Sequence, residues 1–178
     1  MLTYNVAGLL RSTPGTSRTY PVAGARLPIS DDLELAAPIE GNVRLSRTRR
    51  SILATADLTT ALAERCSRCL APVVTPIAVH VEEEALPSID IESGERLAVE
   101  AESEALRVDE HHELDLAEPV REAISLAEPI APLCRPDCLG LCSTCGADLN
   151  AVPGHAHDDD EIDPRLAGLK AWQPPETH

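Results

Sequence analysis

Six cysteines are the residues of this 178-residue chain best suited to chemistry, and their spacing is close and regular. Two form Cys66-Ser-Arg-Cys69; the rest lie in Cys134-Arg-Pro-Asp-Cys138-Leu-Gly-Leu-Cys142-Ser-Thr-Cys145-Gly146, with His155-Ala-His157 just beyond. A Cys-x-x-Cys turn aims two thiolates at one point, and a following glycine such as Gly146 allows the positive backbone dihedral such turns often need. Sulfur and imidazole donors together suit zinc, which takes both in tetrahedral sites without redox chemistry. One partition joins Cys66, Cys69, Cys134 and Cys138 in a first site, and Cys142, Cys145, His155 and His157 in a second. The expectation is one or two structural zinc ions, with the division of ligands left open.

Other readings of these residues are weaker. Lone cysteines are usually small buried hydrophobes, but four within a dozen residues are not lone. A thioredoxin-like role for Cys66 and Cys69 needs a helix N-terminus to lower the thiol pKa, whereas Pro72 and a β-patterned stretch follow here. His155 and His157 stand beside the acidic run Asp158 to Glu161, so plain solvent exposure competes with ligation for them. His80, His111 and His112 have no ligand-like neighbours. The chain carries no Walker-type glycine loop, no Gly-x-Ser-x-Gly elbow and no His-Glu-x-x-His helix. A four-ligand zinc leaves no open position for substrate, so the expectation is a protein that is not an enzyme.

The elements that must position these ligands read as α+β: an antiparallel β-meander or partial barrel, one main packed helix, and a C-terminal zinc knuckle or ribbon. A single domain is expected over 1–178, β-rich to residue 81, with an acidic loop region at 82–110. A helix is expected within 111–129, the knuckle and a short helix within 130–172, and a disordered tail at 173–178. Ile39, Val43 and Leu45 share one parity, as do Ile52, Ala54, Ala56 and Leu58, with Arg49 and Arg50 at the turn between. A third strand is expected through Ala61 and Ala63 into Cys66. A fourth, Val73 to Val81, takes an edge position because of Pro76. Before them, Tyr4–Val6 and Tyr20–Val22 bracket a loop containing Pro14 and Gly15. A short strand is expected at Leu97 to Val99. Asp115 can cap the main helix, whose apolar face is Leu116, Val120, Ala123, Ile124 and Ala127, and Pro129 stops it. Asp163 and Pro164 can begin the short one.

Aromatic residues are confined to Tyr4, Tyr20 and Trp172, with no Phe, so the core is thin and gains from a metal staple. The N-terminus has no charged region followed by an apolar run, and no stretch reaches the ~20 apolar residues of a membrane helix. The expectation is a cytoplasmic protein without membrane contact, where reduced cysteines favour metal over disulfides. Net charge is −15, but it divides into +3 over residues 1–80 and −18 over residues 81–178.

In this order and spacing, several pieces resemble one family. They are Cys66-Ser-Arg-Cys69-Leu70, the helix from Asp115-Leu116 to Leu126, Pro132-Leu133-Cys134, Cys138-x-Gly140-Leu141-Cys142-x-x-Cys145-Gly146-x-x-Leu149-Asn150, and Ile162-Asp163-Pro164-Arg165-Leu166. Over roughly residues 39–172 the chain resembles the YceD-like family of large-subunit ribosomal RNA accumulation proteins, a bacterial and plastid domain of unknown function. Many relatives carry Cys-x-Cys where this chain has His155-Ala-His157, an exchange zinc accepts. Some relatives lack the Gly-Leu-Cys-x-x-Cys-Gly segment, which supports the two-site partition. The resemblance implies a non-enzymatic role in accumulation or processing of 23S ribosomal RNA, with that RNA or its precursor particle as partner. Arg44, Arg47, Arg49, Arg50, Arg65 and Arg68 cluster along the sequence as candidate RNA contacts, since arginine reaches phosphates with paired donors. The alternative is that the acidic second half captures a basic ribosomal protein, without direct RNA contact.

Overall fold

A computed structural model describes residues 2–97, 105–152, 154–157 and 165. The chain divides into two compact units, Met1–Cys138 and Leu139–His178.

The first unit is a mostly β half-barrel. Its strands are β1 (Thr3–Asn5), β2 (Ser17–Ala25), β3 (Glu34–Leu35), β4 (Ile39–Arg47), β5 (Ile52–Arg65), β6 (Pro72–Pro87), β7 (Leu106–Val108) and β8 (Glu113–Asp115). They lie in the order β1-β8-β7-β6-β5-β4-β2, and β3 pairs with β5 beyond the end of β4. All pairs are antiparallel except β6–β7, so the sheet is mixed. One turn of helix, α1 (Ala7–Leu10), packs near β4, and α2 (Ala117–Leu126) packs on β6.

Strict alternation explains the core. Ile39, Val43 and Leu45 of β4 and Ile52, Ala54, Ala56 and Leu58 of β5 are all buried, as the parity of their positions requires. Leu114, Leu116, Val120 and Ile124 close the core from the other side, so aliphatic side chains do work that aromatics do elsewhere. Gly41 lets β4 and β5 meet, because a Cβ there would lie 2.1 Å from the Asp57 carbonyl oxygen, and its φ is 145°.

Several expectations are revised. The segment read as two strands is one 14-residue strand, β5. The buried residues after Leu58 are Thr60, Ala61 and Leu62, with Ala63 exposed, and the polar Thr60 disguised the continuity. Its hydroxyl donates to the Ala37 carbonyl at 2.8 Å, which satisfies it inside. Likewise β6 does not stop at Val81: Glu82, Glu83 and Glu84 stay in the ladder opposite Thr55, Ala54 and Leu53. Leu106–Val108 and Glu113–Asp115 are strands in regions read as loop and helix, and α2 is shorter than 111–129. The N-cap position falls on Leu116, not on Asp115, which ends β8; the Asp115 carboxylate still accepts the Ala117 N–H at 2.9 Å from one residue earlier. The one-turn α1 lies in a stretch left as loop, since four residues are too short to show a helical period.

Pro76 stands where β6 has only β5 beside it, because β7 joins only at Ala85–Pro87. Arg96 makes an isolated bridge to Ile89, and Leu97 lies in no strand; Ala98 and Val99 fall outside the described residues. The short helix expected from Asp163, Trp172 and the tail 173–178 also fall outside them. Among the described residues no helix is long and apolar enough to cross a membrane.

Candidate metal centres

Two foursomes of donor atoms converge, Cys66 with Cys69, Cys134 and Cys138, and Cys142 with Cys145, His155 and His157; within each, all ligand atoms lie within 4.8 Å of one another.

The first is built at the far end of β5. The inward parity that carries Leu58, Thr60 and Leu62 brings Cys66 inward as well, fully buried. The chain then turns tightly: Leu70 N–H donates to the Cys66 carbonyl at 2.9 Å and Cys66 N–H to the Ala71 carbonyl at 2.8 Å. That turn places Leu70 at φ 62°, a left-handed conformation uncommon for a residue with a side chain. The segment after α2 is fastened to this turn by Ser67 N–H to the Pro132 carbonyl at 2.8 Å, and by the Arg68 guanidinium to the Cys138 carbonyl at 2.7 Å. Those bonds set Cys134 and Cys138 opposite the first pair. Sulfur–sulfur separations are 3.8 Å for Cys66–Cys138 and 3.6 Å for Cys69–Cys134.

The second repeats the same turn in the second unit. Gly146 N–H donates to the Cys142 carbonyl and Cys142 N–H to the Ala147 carbonyl, both at 2.8 Å, with Gly146 at φ 73°. Leu149 N–H to the Gly140 carbonyl at 3.0 Å and Leu139 N–H to the Asn150 side-chain oxygen at 2.9 Å close the ribbon, giving the Leu149-Asn150 pair a physical role. His157 Nε2 lies 3.2 Å from Cys142 Sγ, His155 Nε2 lies 3.2 Å from Cys145 Sγ, and the two Nε2 atoms are 2.9 Å apart.

The local charges favour a cation in both. Backbone N–H groups pull the first thiol of each turn down to about 6: those of Cys69, then Cys134, for Cys66, and of Cys145, then Thr144, for Cys142. Cys134 is pushed up to about 12, first by its hydrogen bond to Cys69, then by desolvation and by the neighbouring sulfurs of Cys138 and Cys66. Crowded sulfurs cannot all be thiolates unless a cation joins them, and its arrival displaces the remaining protons. Four sulfur donors, or two sulfur and two imidazole donors, fill a tetrahedral shell completely.

The candidate RNA-contacting arginines do not form one patch. Arg47, Arg49 and Arg50 lie at the turn between β4 and β5, and Arg44 on β4 donates to Ser17 Oγ at 3.2 Å. Arg65 and Arg68 stand at the opposite end of β5, roughly 40 Å away at the rise of an extended strand. Both there serve the first knuckle, Arg65 through the Leu70 carbonyl and Arg68 through that of Cys138. Sequence reading missed Arg107 on β7, which the parallel pairing sets beside Leu86, close to the Arg49–Arg50 turn. No local signal marks it, because its neighbours come from distant parts of the chain. Of the remaining histidines, His80 pairs with Asp57 across the ladder at 2.7 Å and joins neither foursome.

Half-barrel and donor clusters together define a small β protein with two Cys/His four-ligand clusters. The family described as large ribosomal RNA subunit accumulation protein YceD matches residues 54–172, the stretch that holds both clusters, and the chain belongs to that family. It is 35% identical over 156 residues to an uncharacterized protein of Mycobacterium tuberculosis, covering 84% of this chain and 72% of that one. It is 32% identical over 146 residues to an uncharacterized protein of Mycobacterium leprae, covering 82% and 64%. A shorter match, 42% identical over 40 residues, is to a Zea mays protein named large ribosomal RNA subunit accumulation protein YCED homolog 1, chloroplastic, covering 22% of this chain and 14% of that one. No solved structure matches.

Proposed function

We propose that this protein is a non-enzymatic, zinc-stabilised ribosome-biogenesis factor. It supports accumulation of the large-subunit (23S) ribosomal RNA in the cytoplasm by contacting that RNA or its precursor particle. The observation that carries the reading is that residues 54–172, the segment matched by the family, contain both four-donor clusters of this chain, each with enough donors to close a tetrahedral shell and leave no position for a substrate.

At the first site zinc is favoured by size as well as donor type, and at the second by donor type. Zinc–thiolate bonds of about 2.3 Å set tetrahedral sulfur–sulfur edges of about 3.8 Å. The separations in the first cluster are 3.8 and 3.6 Å. Cys66, Cys69, Cys134 and Cys138 would hold one ion, and Cys142, Cys145, His155 and His157 the other; each ion supplies a cross-link rather than a reactive water.

RNA contact falls to the Arg47–Arg50 turn. Thr48 Oγ1 accepts the N–H of Arg50 and of Ser51, at 3.3 and 2.9 Å, and the buried Ser51 hydroxyl donates to Glu84 at 2.5 Å. The turn is therefore stiff before any partner arrives, which lowers the entropy lost on binding. Affinity for precursor RNA is expected to fall as salt rises and to fall again in Arg47→Glu, Arg49→Glu and Arg50→Glu together, measured by filter binding. Unchanged affinity in both would remove this turn from the account. Retention of RNA only when a basic ribosomal protein is added would instead favour the acidic-adaptor reading, for which the exposed Glu82 and Glu84 on β6 offer a surface.

A further inference from the structure

A cavity of about 460 Å³ opens beside the β4–β5 turn, in the size range of small-molecule sites. The pairing of Ile52 with Ala85 brings this turn next to Leu86, and the parallel pairing of Leu86 with Arg107 adds β7. Three separate elements thus put Arg47, Arg49, Arg50 and Arg107 around one space, with Leu86 and Leu97 among its apolar walls.

Among the described residues, Arg49, Arg50 and Arg107 have no carboxylate partner, in a chain with 30 Asp and Glu. Arg47 gives one nitrogen to the Ser51 carbonyl at 3.2 Å, while its Nε is buried without a hydrogen-bond partner. Asp90 also lines the space, but one of its oxygens already accepts from the N–H groups of Glu92 and Ser93 and from the Ser93 hydroxyl. Among the described lining residues four guanidinium groups face the single carboxylate of Asp90, so the space keeps an excess of positive charge, one cation of it partly desolvated, that an anion would relieve.

We infer that this cleft is a nucleotide site: the arginines take a phosphate, and the aliphatic wall takes the sugar and base of the same unit. Guanidinium forks match phosphate oxygens in pairs. No aromatic side chain lines the cavity, so the base is held by apolar contact rather than stacking and its identity is not read. The inference rests on the RNA reading in taking the nucleotide to be one unit of an RNA strand.

The test uses the full chain as purified and two probes, adenosine 5′-monophosphate and a mixed-sequence single-stranded RNA decamer, with binding followed by NMR titration. Arg107→Gln is expected to weaken both by about tenfold or more, the usual size of a lost charged hydrogen bond, and exposed Arg49→Gln to do the same. Arg26→Gln, outside the cavity, is expected to change neither. A decamer that binds wild type and Arg107→Gln equally, or that binds while the mononucleotide does not, overturns the cleft and leaves the RNA reading standing. A mononucleotide that binds and depends on Arg107 while the decamer fails to bind keeps the cleft and sinks the RNA reading. Binding of neither probe overturns both.

Discussion

The two cysteine turns share one backbone and differ in almost everything around it. In each, the first cysteine's carbonyl accepts from the residue four places on, and its N–H donates to the residue five places on, at 2.8–2.9 Å. The first turn has Cys66 fully buried at the end of a 14-residue strand and gathers donors separated by 65 and 72 positions. The second lies within Leu139–His178, and its cross-links span 15 and 10 positions. The same local device therefore fixes tertiary structure in one place and merely closes a ribbon in the other.

The largest effect that can break this comparison is loss of a ligand. Treated as cross-links, loops of these lengths give about 4.5 kcal/mol for the first site and about 3 kcal/mol for the second. Cys66→Ser is expected to remove one metal equivalent and to destabilise the sheet by the larger amount, read by elemental analysis and denaturant melts. Cys142→Ser is expected to remove the other equivalent, with faster amide exchange confined to residues 139–157. Loss of both ions from either change would show that the sites are not independent.

Acid gives a second comparison. Cys66 and Cys142 lie at about 6 in the folded chain against an ordinary 9.0, so their thiolate forms favour the fold. A lowered folded value contributes stability in full above about pH 9, progressively less as pH falls, and none below about 6. Metal retention is expected to fail at a higher pH in the first site than in the second, because protons compete more strongly there at Cys134, which is pushed up to about 12. Coincident release midpoints, followed with a chromogenic chelator, would show that the crowding of sulfurs at Cys134 does not govern release.

The smallest effect concerns the residue after each second cysteine. Gly146 adopts φ 73° without cost, whereas Leu70 adopts φ 62° with a side chain that is 54% exposed. Gly146→Ala is expected to cost about 1 kcal/mol, since the left-handed conformation disfavours a Cβ. Leu70→Gly is expected to be neutral or to stabilise by about 0.5 kcal/mol, the relieved strain being partly offset by a freer unfolded chain. A large loss from Leu70→Gly would mean that its side chain packs more usefully than its exposure suggests.

Legibility followed the range of the interactions. The β4 and β5 alternation and the apolar face of α2 are local patterns, and the structure has them. Thr60 misled because a polar residue can be buried when a distant carbonyl receives it, here that of Ala37. Glu82 to Glu84 misled in the same way: a charge run reads as solvated loop, yet alternate residues of an edge-lying strand can face solvent while the backbone pairs.

By itself the sequence determined the ligands' chemistry and the turns that aim them, because Cys-x-x-Cys and its following residue are set by a few adjacent dihedrals. It also determined which strand faces are apolar, since period two is written residue by residue. Only the tertiary structure decided which donors meet across 65 to 72 positions, and that the basic residues divide between two ends of β5. Only it set Arg107 beside the Arg49–Arg50 turn. These depend on register between strands, which is chosen by the packing of the whole sheet and is not encoded at any one position.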